Sequence, residues 1–147
     1  MSDQAYAAEV GIEPTIEPSQ LVGMVLHCGP YDTETVLRHR GWRGWYARTV
    51  SWAYLGTRAL DAPQVQQASV VSHVTAAYPA TLLTAGEKDS LSPQTRAFAA
   101  RLAELGVPHE LLWHPGVDHE FQLDLHRPEA QEVLADTLRF LREHTRA

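Results

Sequence analysis

The sequence predicts an α/β fold in which a parallel sheet is flanked by helices. Three short apolar segments are typical of buried strands, and each is followed by a segment of helical composition. The connections are long enough to cross over a sheet, which requires parallel pairing of the strands. The chain has 147 residues, of which 44% are hydrophobic and 20% charged. This composition indicates one globular domain or part of a larger one.

The first third of the chain predicts a loop, a strand and aromatic-rich helices. Residues 11–20 carry two prolines and predict an extended loop. Residues 21–27 (LVGMVLH) form an apolar run that ends at a Gly-Pro pair, so we expect a buried strand. Residues 33–56 are helical in composition, and a further short helix is expected near residues 62–68. The helical spacing of aromatic side chains predicts one large apolar face, which includes Trp45, Tyr46 and Trp52.

The rest of the chain repeats a strand and a helix twice. Residues 80–85 predict a second strand, and residues 93–105 predict a helix with Ser92 as its N-cap. Residues 109–113 predict a third strand, and residues 128–144 an amphipathic helix. The apolar side of this last helix comprises Ala130, Val133, Leu134, Leu138 and Leu141. A sheet of three strands leaves exposed edges, so association with a second copy or another polypeptide is expected.

Charge and composition exclude several classes of function. The formal charge of −6 argues against nucleic acid and against an anionic membrane surface as partners. The first residues carry neither a basic nor an apolar leader segment, so we expect a cytoplasmic protein. Cys28 is the only cysteine, which excludes an internal disulfide and a zinc site built from several cysteines. We expect no cofactor and no metal.

Two polar residues follow neighbouring predicted strands. Asp89 comes shortly after the second strand, and His119 comes shortly after the third. Because the carboxyl ends of parallel strands share one edge of a sheet, these side chains are expected to meet there. A carboxylate that orients a histidine makes the histidine a general base. The alternatives are that Asp89 caps the following helix and that His119 is an ordinary histidine, and Glu87 competes as the acid.

The segment ATLLTAGEKDSLSPQTRAFAARLAELGVPHELLWHPGVDHEFQ resembles the C-terminal part of the α/β-hydrolase fold, in particular hormone-sensitive-lipase-like esterases and carboxylesterases. In that family a strand ends in Gly-x-x-Asp, and the matching residues are Gly86 and Asp89. The family's triad histidine corresponds to His119. The motif GMVLHCGPYD and a cap-like helical segment at about residues 33–68 extend the resemblance over about residues 1–144.

The sequence departs from this family at the nucleophile. The family places its serine in Gly-x-Ser-x-Gly, ahead of the acid and the histidine, and no such motif is present. The oxyanion-hole loop is absent as well. The resemblance therefore implies the C-terminal portion of a carboxylic-ester hydrolase for small esters, inactive by itself unless another polypeptide segment supplies the nucleophile. The alternative is a non-catalytic α/β interaction module, or a truncated gene product, stabilised by self-association.

Other residues near the predicted site are weaker candidates for a catalytic role. Cys28 lacks the glycine-flanked turn that a nucleophilic cysteine of this fold requires, so a small buried side chain is the expected role. Asp32 is expected to end a turn. The histidines that could form a metal site are His109, His114, His119 and His126. Such a site is disfavoured because His109 and His114 lie at opposite ends of one predicted strand and do not converge. For Trp42, Trp45, Tyr46 and Trp52, lining of an acyl pocket and packing in the core remain open alternatives.

Overall fold

The computed structural model describes residues 4–145. Within that range three strands form one parallel sheet in the spatial order β1-β2-β3. The strands are β1 (Met24–His27), β2 (Thr81–Gly86) and β3 (His109–His114). In the register of the sheet, His27 lies beside Thr84, and Gly86 lies beside His114. The predicted parallel sheet with flanking helices is confirmed.

Seven α-helices accompany the strands in the described range, together with single 3-10 turns at Pro18–Gln20 and Phe121–Leu123. The helices are α1 (Gln4–Glu9), α2 (Thr33–Leu37), α3 (Gly41–Leu55), α4 (Pro63–Gln67), α5 (Val70–His73), α6 (Ser92–Glu104) and α7 (Pro128–Thr145). The helix expected at residues 33–56 is thus divided into α2 and α3. The expected N-cap of α6 is wrong by one residue, because Leu91 occupies the cap position and Ser92 is the first residue of the helix.

The core is built around β2, whose six residues are all buried. A central parallel strand is covered on both faces, which explains its almost uninterrupted apolar sequence. Helix α6 contributes the buried side chains of Phe98 and Leu102. The rings of Phe98 and Tyr78 are nearly perpendicular, with their centroids 5.9 Å apart. Helix α7 contributes the buried ring of Phe140.

The buried side of α7 differs from the prediction. Ala130 and Val133 are buried as expected, and Phe140 joins them. Three leucines expected on the same side are exposed instead; they are Leu134, Leu138 and Leu141. The apolar residues of α7 extend over a wider arc of the helix than the arc that is buried in the described part of the chain. Periodicity alone therefore placed the buried stripe too broadly.

The chain divides into two compact units, of which the first contains the sheet and runs to Gly29 and from Val74 onward. The second unit, Pro30–His73, contains α2 to α5. Asp32 is the N-cap of α2, because its carboxylate accepts the Thr35 N–H at 3.0 Å. The guanidinium of Arg48 donates to the carbonyl of Leu37 at 3.1 Å, which joins α3 to the end of α2.

Helix α3 carries an exposed aromatic surface that extends around much of its circumference. Trp42 is 73% exposed and Tyr54 is 89% exposed, and three more aromatic residues are exposed beside them; they are Trp45, Tyr46 and Trp52. Core packing, one of the two alternatives for these residues, is therefore not observed. Within residues 4–145 no helix is both long enough and apolar enough to cross a membrane.

Candidate active site

Asp89 and His119 form a hydrogen-bonded pair at the carboxyl end of the sheet. The Nδ1 atom of His119 lies 2.9 Å from Oδ2 of Asp89. The Asp89 side chain is completely buried, whereas 44% of the His119 side chain is exposed. A carboxylate can only accept, so Nδ1 carries the shared proton and Nε2 is left as the basic ring nitrogen.

The turn between β2 and α6 fixes the Asp89 carboxylate. Its second oxygen, Oδ1, accepts the N–H of Leu91 at 2.8 Å. The Asp89 N–H donates to the carbonyl of Gly86 at 3.2 Å, and the Ser92 N–H donates to the carbonyl of Asp89 at 3.1 Å. Asp89 is therefore not the cap of α6, which is Leu91. Its Oδ1 accepts a hydrogen bond within the turn before the helix, and its Oδ2 is the partner of His119.

His119 is held by buried neighbours on both sides of it in the sequence. Val117 and Phe121 are buried and pack in one cluster with Val133 of α7. The carbonyl of Val117 also accepts the N–H of Lys88 at 2.8 Å, which ties the loop after β3 to the loop after β2. Because Val117 and Phe121 are buried on either side of it, His119 lies between two fixed points of the loop, from which its ring contacts Asp89.

Gly86 permits the close approach of these two loops. A Cβ atom at this position would lie 2.6 Å from the carbonyl oxygens of both Val117 and Asp118. Real Cβ contacts do not occur at that distance, and both neighbours are main-chain atoms. The absence of a side chain at the end of β2 is therefore a condition for the Asp89–His119 distance.

The other carboxylates nearby have different partners. Glu87 accepts the N–H of Gly116 at 2.9 Å, so its carboxylate fastens the loop. Asp118 pairs with Arg127 at 3.0 Å, and the guanidinium lowers the pKa of the Asp118 carboxyl. Glu120 approaches Nε2 of His119 only to 3.9 Å. Among these carboxylates Asp89 is therefore the one hydrogen-bonded to the imidazole.

Cys28 lies beside the pair. Its Sγ, a carboxylate oxygen of Asp89 and a ring nitrogen of His119 lie within 4.8 Å of one another. Burial, and then the neighbouring Asp89 carboxylate, raise the pKa of the Cys28 thiol, while nearby backbone N–H groups oppose this rise. A neutral thiol next to the acid of the pair is poorly suited to nucleophilic attack.

The backbone at this end of the sheet adopts two unusual conformations. Cys28 has φ +50° and Glu120 has φ +57°, and these are the only described non-glycine residues with positive φ. Such conformations cluster at functional sites. The convergence of the Cys28 side chain with Asp89 and His119 is not among the expectations from the sequence, which assign Cys28 only a small buried side chain. The available signal was its place immediately after the first strand, at the edge that β1 shares with β2 and β3.

The histidines considered as metal ligands do not come together. The ring of His109 lies at the start of β3, with Nδ1 2.9 Å from the carbonyl of Val107. His114 ends the same strand and is buried, with its ring centroid 5.0 Å from that of Phe121. In the described range, the ligand-type side chains that converge in a group of three are Cys28, Asp89 and His119.

The sequence profile of a family described as α/β hydrolase fold matches residues 8–123. Among solved structures, esterase E25 has a TM-score of 0.68 at 22% identity over 96% of this chain, and esterase B from Lactobacillus rhamnosis has 0.72 at 18% identity over 93%. The propionate-bound esterase Est2 from Thermogutta terrifontis has 0.60 at 22% identity over 89%. The chain spans 44%, 44% and 47% of these structures, respectively. No curated protein sequence matches it.

Proposed function

The chain belongs to the α/β-hydrolase fold family, and from this premise we propose that it is the portion of a carboxylic-ester hydrolase that carries the acid and the histidine. The observation that supports this proposal most is the 2.9 Å hydrogen bond between a fully buried carboxylate and a half-exposed imidazole. The substrate class is a small ester, in keeping with the esterase names of the similar structures.

In this proposal Asp89 holds the proton on Nδ1 of His119, so that Nε2 accepts the proton of a serine hydroxyl. The serine oxygen bonds to the ester carbonyl carbon, and the alcohol leaves with the proton that Nε2 returns to it. Water then attacks the acyl-enzyme and gives one proton to Nε2. Nε2 passes this proton to the serine oxygen as its bond to the acyl carbon breaks, which releases the carboxylic acid and restores the serine hydroxyl. Asp89 accepts the Nδ1–H hydrogen bond throughout without taking up the proton, and its charge stabilises the imidazolium when it forms.

The nucleophile of this reaction comes from another polypeptide segment. Within residues 4–145 no serine hydroxyl is hydrogen-bonded to His119. Ser69, for example, donates to the carbonyl of Val65 at 3.1 Å, far along the chain from the site. A two-step acyl transfer has no first step without a nucleophile, so we propose that the isolated chain does not form an acyl-enzyme.

Labelling with a fluorophosphonate, read by intact mass, tests the missing nucleophile. We expect no adduct on the folded chain. One adduct that disappears in His119→Ala would mean that a serine of this chain is the nucleophile, which refutes that part of the proposal. An adduct that persists in His119→Ala would mean labelling without the Asp89–His119 pair and would count against the site itself.

Cleavage of p-nitrophenyl acetate tests the imidazole, because an oriented histidine attacks this activated ester without a serine. We expect the rate to fall in His119→Ala and, less strongly, in Asp89→Asn, since the asparagine can still accept one hydrogen bond. The matched control is His126→Ala, which removes an exposed histidine of the same region. A rate in His119→Ala equal to that of the control would contradict the assignment of His119 as the base.

The non-catalytic interaction module remains a second candidate, supported by the exposed aromatic surface of α3. Large exposed apolar patches on soluble domains are typical of surfaces that a partner covers. Sedimentation of the purified chain separates the outcomes: a stable dimer that Trp45→Ser dissociates supports self-association. A monomer that is unchanged by the substitution excludes it. The cytoplasmic location also stays a proposal, with the free thiol of Cys28 in its favour.

A further inference from the structure

Three different metal-ligand atoms converge at the carboxyl end of the sheet. The thiol sulfur of Cys28, a carboxylate oxygen of Asp89 and a ring nitrogen of His119 lie within 4.8 Å of one another. They come from three separate loops, one after each strand. The convergence is therefore produced by the parallel sheet and not by residues adjacent in the sequence.

The donor set selects the class of ion. Sulfur, imidazole nitrogen and carboxylate oxygen are the three ligand types that bind Zn²⁺, whereas Mg²⁺ and Ca²⁺ prefer oxygen alone. Metal–ligand bonds of about 2.0–2.3 Å in tetrahedral geometry place two ligands of one ion about 3.5 Å apart. Contraction from 4.8 Å therefore needs shifts of roughly 1 Å, which side-chain rotation can supply.

Two of the ligands are fixed and the third is adjustable. The Cys28 N–H donates to the carbonyl of Thr84 at 3.0 Å, and the Asp89 carboxylate is held by the Leu91 N–H at 2.8 Å. His119 is 44% exposed, so its ring has room to reorient, and its open side gives a water molecule access as a fourth ligand. Three protein ligands and one water form the usual arrangement of an open zinc site.

From this geometry we infer that Cys28, Asp89 and His119 form a binding site for Zn²⁺ or a similar soft divalent cation. The ion takes the place of the hydrogen bond between Asp89 and His119, because both residues become its ligands. Binding releases the thiol proton of Cys28 to water, and the ring proton of His119 leaves whichever nitrogen binds the ion. The cation is thus an inhibitor of the proposed esterase pair and not its cofactor. The binding itself stands or falls independently of the esterase proposal, since it requires only the three side chains.

Titration of the full chain with Co²⁺ tests the site, because thiolate bound to Co²⁺ gives a charge-transfer band in the near ultraviolet. Cys28 is the only cysteine in the chain, so such a band is assigned without ambiguity. We expect one Co²⁺ per chain, displacement by Zn²⁺, and loss of the band in Cys28→Ser. In Asp89→Asn and His119→Ala we expect affinity lower by at least about 100-fold, because loss of a direct ligand exceeds the 10- to 100-fold effect of losing an outer-shell partner. His126→Ala should bind as the unmodified chain does.

Three outcomes would overturn the inference. One is the absence of a charge-transfer band on a chain whose circular dichroism shows it to be folded. Another is a band of equal affinity in Asp89→Asn and His119→Ala, which would mean binding by the thiol alone. The third is one Co²⁺ per two chains, which would mean that cysteines of two copies share the ion. All three are read without ester hydrolysis, so they leave the proposed function untouched.

Discussion

Replacing Gly86 by alanine should disrupt both the stability of the fold and the candidate site. The new Cβ would lie 2.6 Å from the carbonyl oxygens of Val117 and Asp118 and 3.0 Å from the carbonyl carbon of Val117. These are main-chain atoms of a loop whose anchors are buried, so the loop must move by several tenths of an ångström. That movement stretches the 2.8 Å hydrogen bond from the Lys88 N–H to Val117.

The magnitude follows from two contributions. Overpacking of a filled interior costs about 1–3 kcal/mol, and the weakened hydrogen bond adds about 1 kcal/mol. We therefore expect the free energy of unfolding of Gly86→Ala to fall by about 2–4 kcal/mol, which lowers the melting temperature by roughly 10 °C. Urea unfolding followed by circular dichroism measures the first quantity.

The hydrogen bond between His119 and Asp89 is measured separately by nuclear magnetic resonance, from the low-field proton resonance of His119 Nδ1–H. This resonance is assigned by its loss in His119→Ala. We expect this resonance to disappear in Gly86→Ala. The matched control is Gly116→Ala in the same loop, where φ is +73° and no atom lies within 4 Å of the added Cβ. The control should lose about 1–2 kcal/mol from backbone strain alone and keep the resonance. If Gly86→Ala keeps both the resonance and the stability of the control, the steric argument is wrong.

Three further predictions concern the rest of the fold. Phe140→Ala should lower the free energy of unfolding by about 3–5 kcal/mol because the Phe140 ring is buried. Leu138→Ala changes an exposed position of the same helix, so it should change the free energy of unfolding by about 0.5 kcal/mol at most. Equal urea midpoints for the two variants would contradict the assigned buried face of α7. The Arg139 guanidinium, 2.5 Å from the Glu110 carboxylate, lowers the pKa of Glu110 in the folded state. This ion pair therefore stabilises the fold above the unfolded-state pKa of about 4.3, and the stabilisation is lost as the pH falls through the lower pKa of Glu110 in the folded state. The difference in urea midpoint between the unmodified chain and Glu110→Gln should therefore shrink between pH 7 and pH 3. A constant difference would refute the pairing. Burial and the Asp89 carboxylate raise the pKa of the Cys28 thiol. Iodoacetamide should therefore alkylate Cys28 slowly at neutral pH in the folded chain and rapidly in urea, with alkylation followed by mass spectrometry. Equal alkylation rates in the two conditions would show that the thiol is accessible in the folded chain.

The sheet could be predicted because its information is local. Six consecutive small or apolar residues mark β2, and the alternation of strands and helices requires parallel pairing. The meeting of Asp89 and His119 was expected for the same reason, since carboxyl ends of parallel strands share an edge. The hydrogen bond between them agrees with that expectation. Their catalytic role stays a prediction.

The sequence does not specify which apolar side chains of a helix are buried, because that depends on the surface that packs against the helix. The periodicity of α7 identifies an apolar stripe, but only the surface opposite decides that Phe140 is covered and Leu138 is not. Likewise, the aromatic spacing in α3 indicates a large apolar face without indicating whether anything covers it. The sequence places Cys28 after the first strand, but its approach to Asp89 depends on the register between β1 and β2, which lie far apart in the sequence.

The position of the second compact unit in the sequence, between β1 and β2, has a consequence for the order of folding. Strands β2 and β3 and helices α6 and α7 form one continuous stretch, Thr81–Thr145, whereas Pro30–His73 separates β1 from its neighbour β2. The continuous stretch can form from contacts close in sequence, but β1 must close a long loop before it pairs, which makes its docking late. Each doubling of that loop adds only about 0.6 kcal/mol of closure entropy. Insertions and deletions between His27 and Thr81 should therefore alter the rate at which β1 docks much more than the stability of the finished sheet.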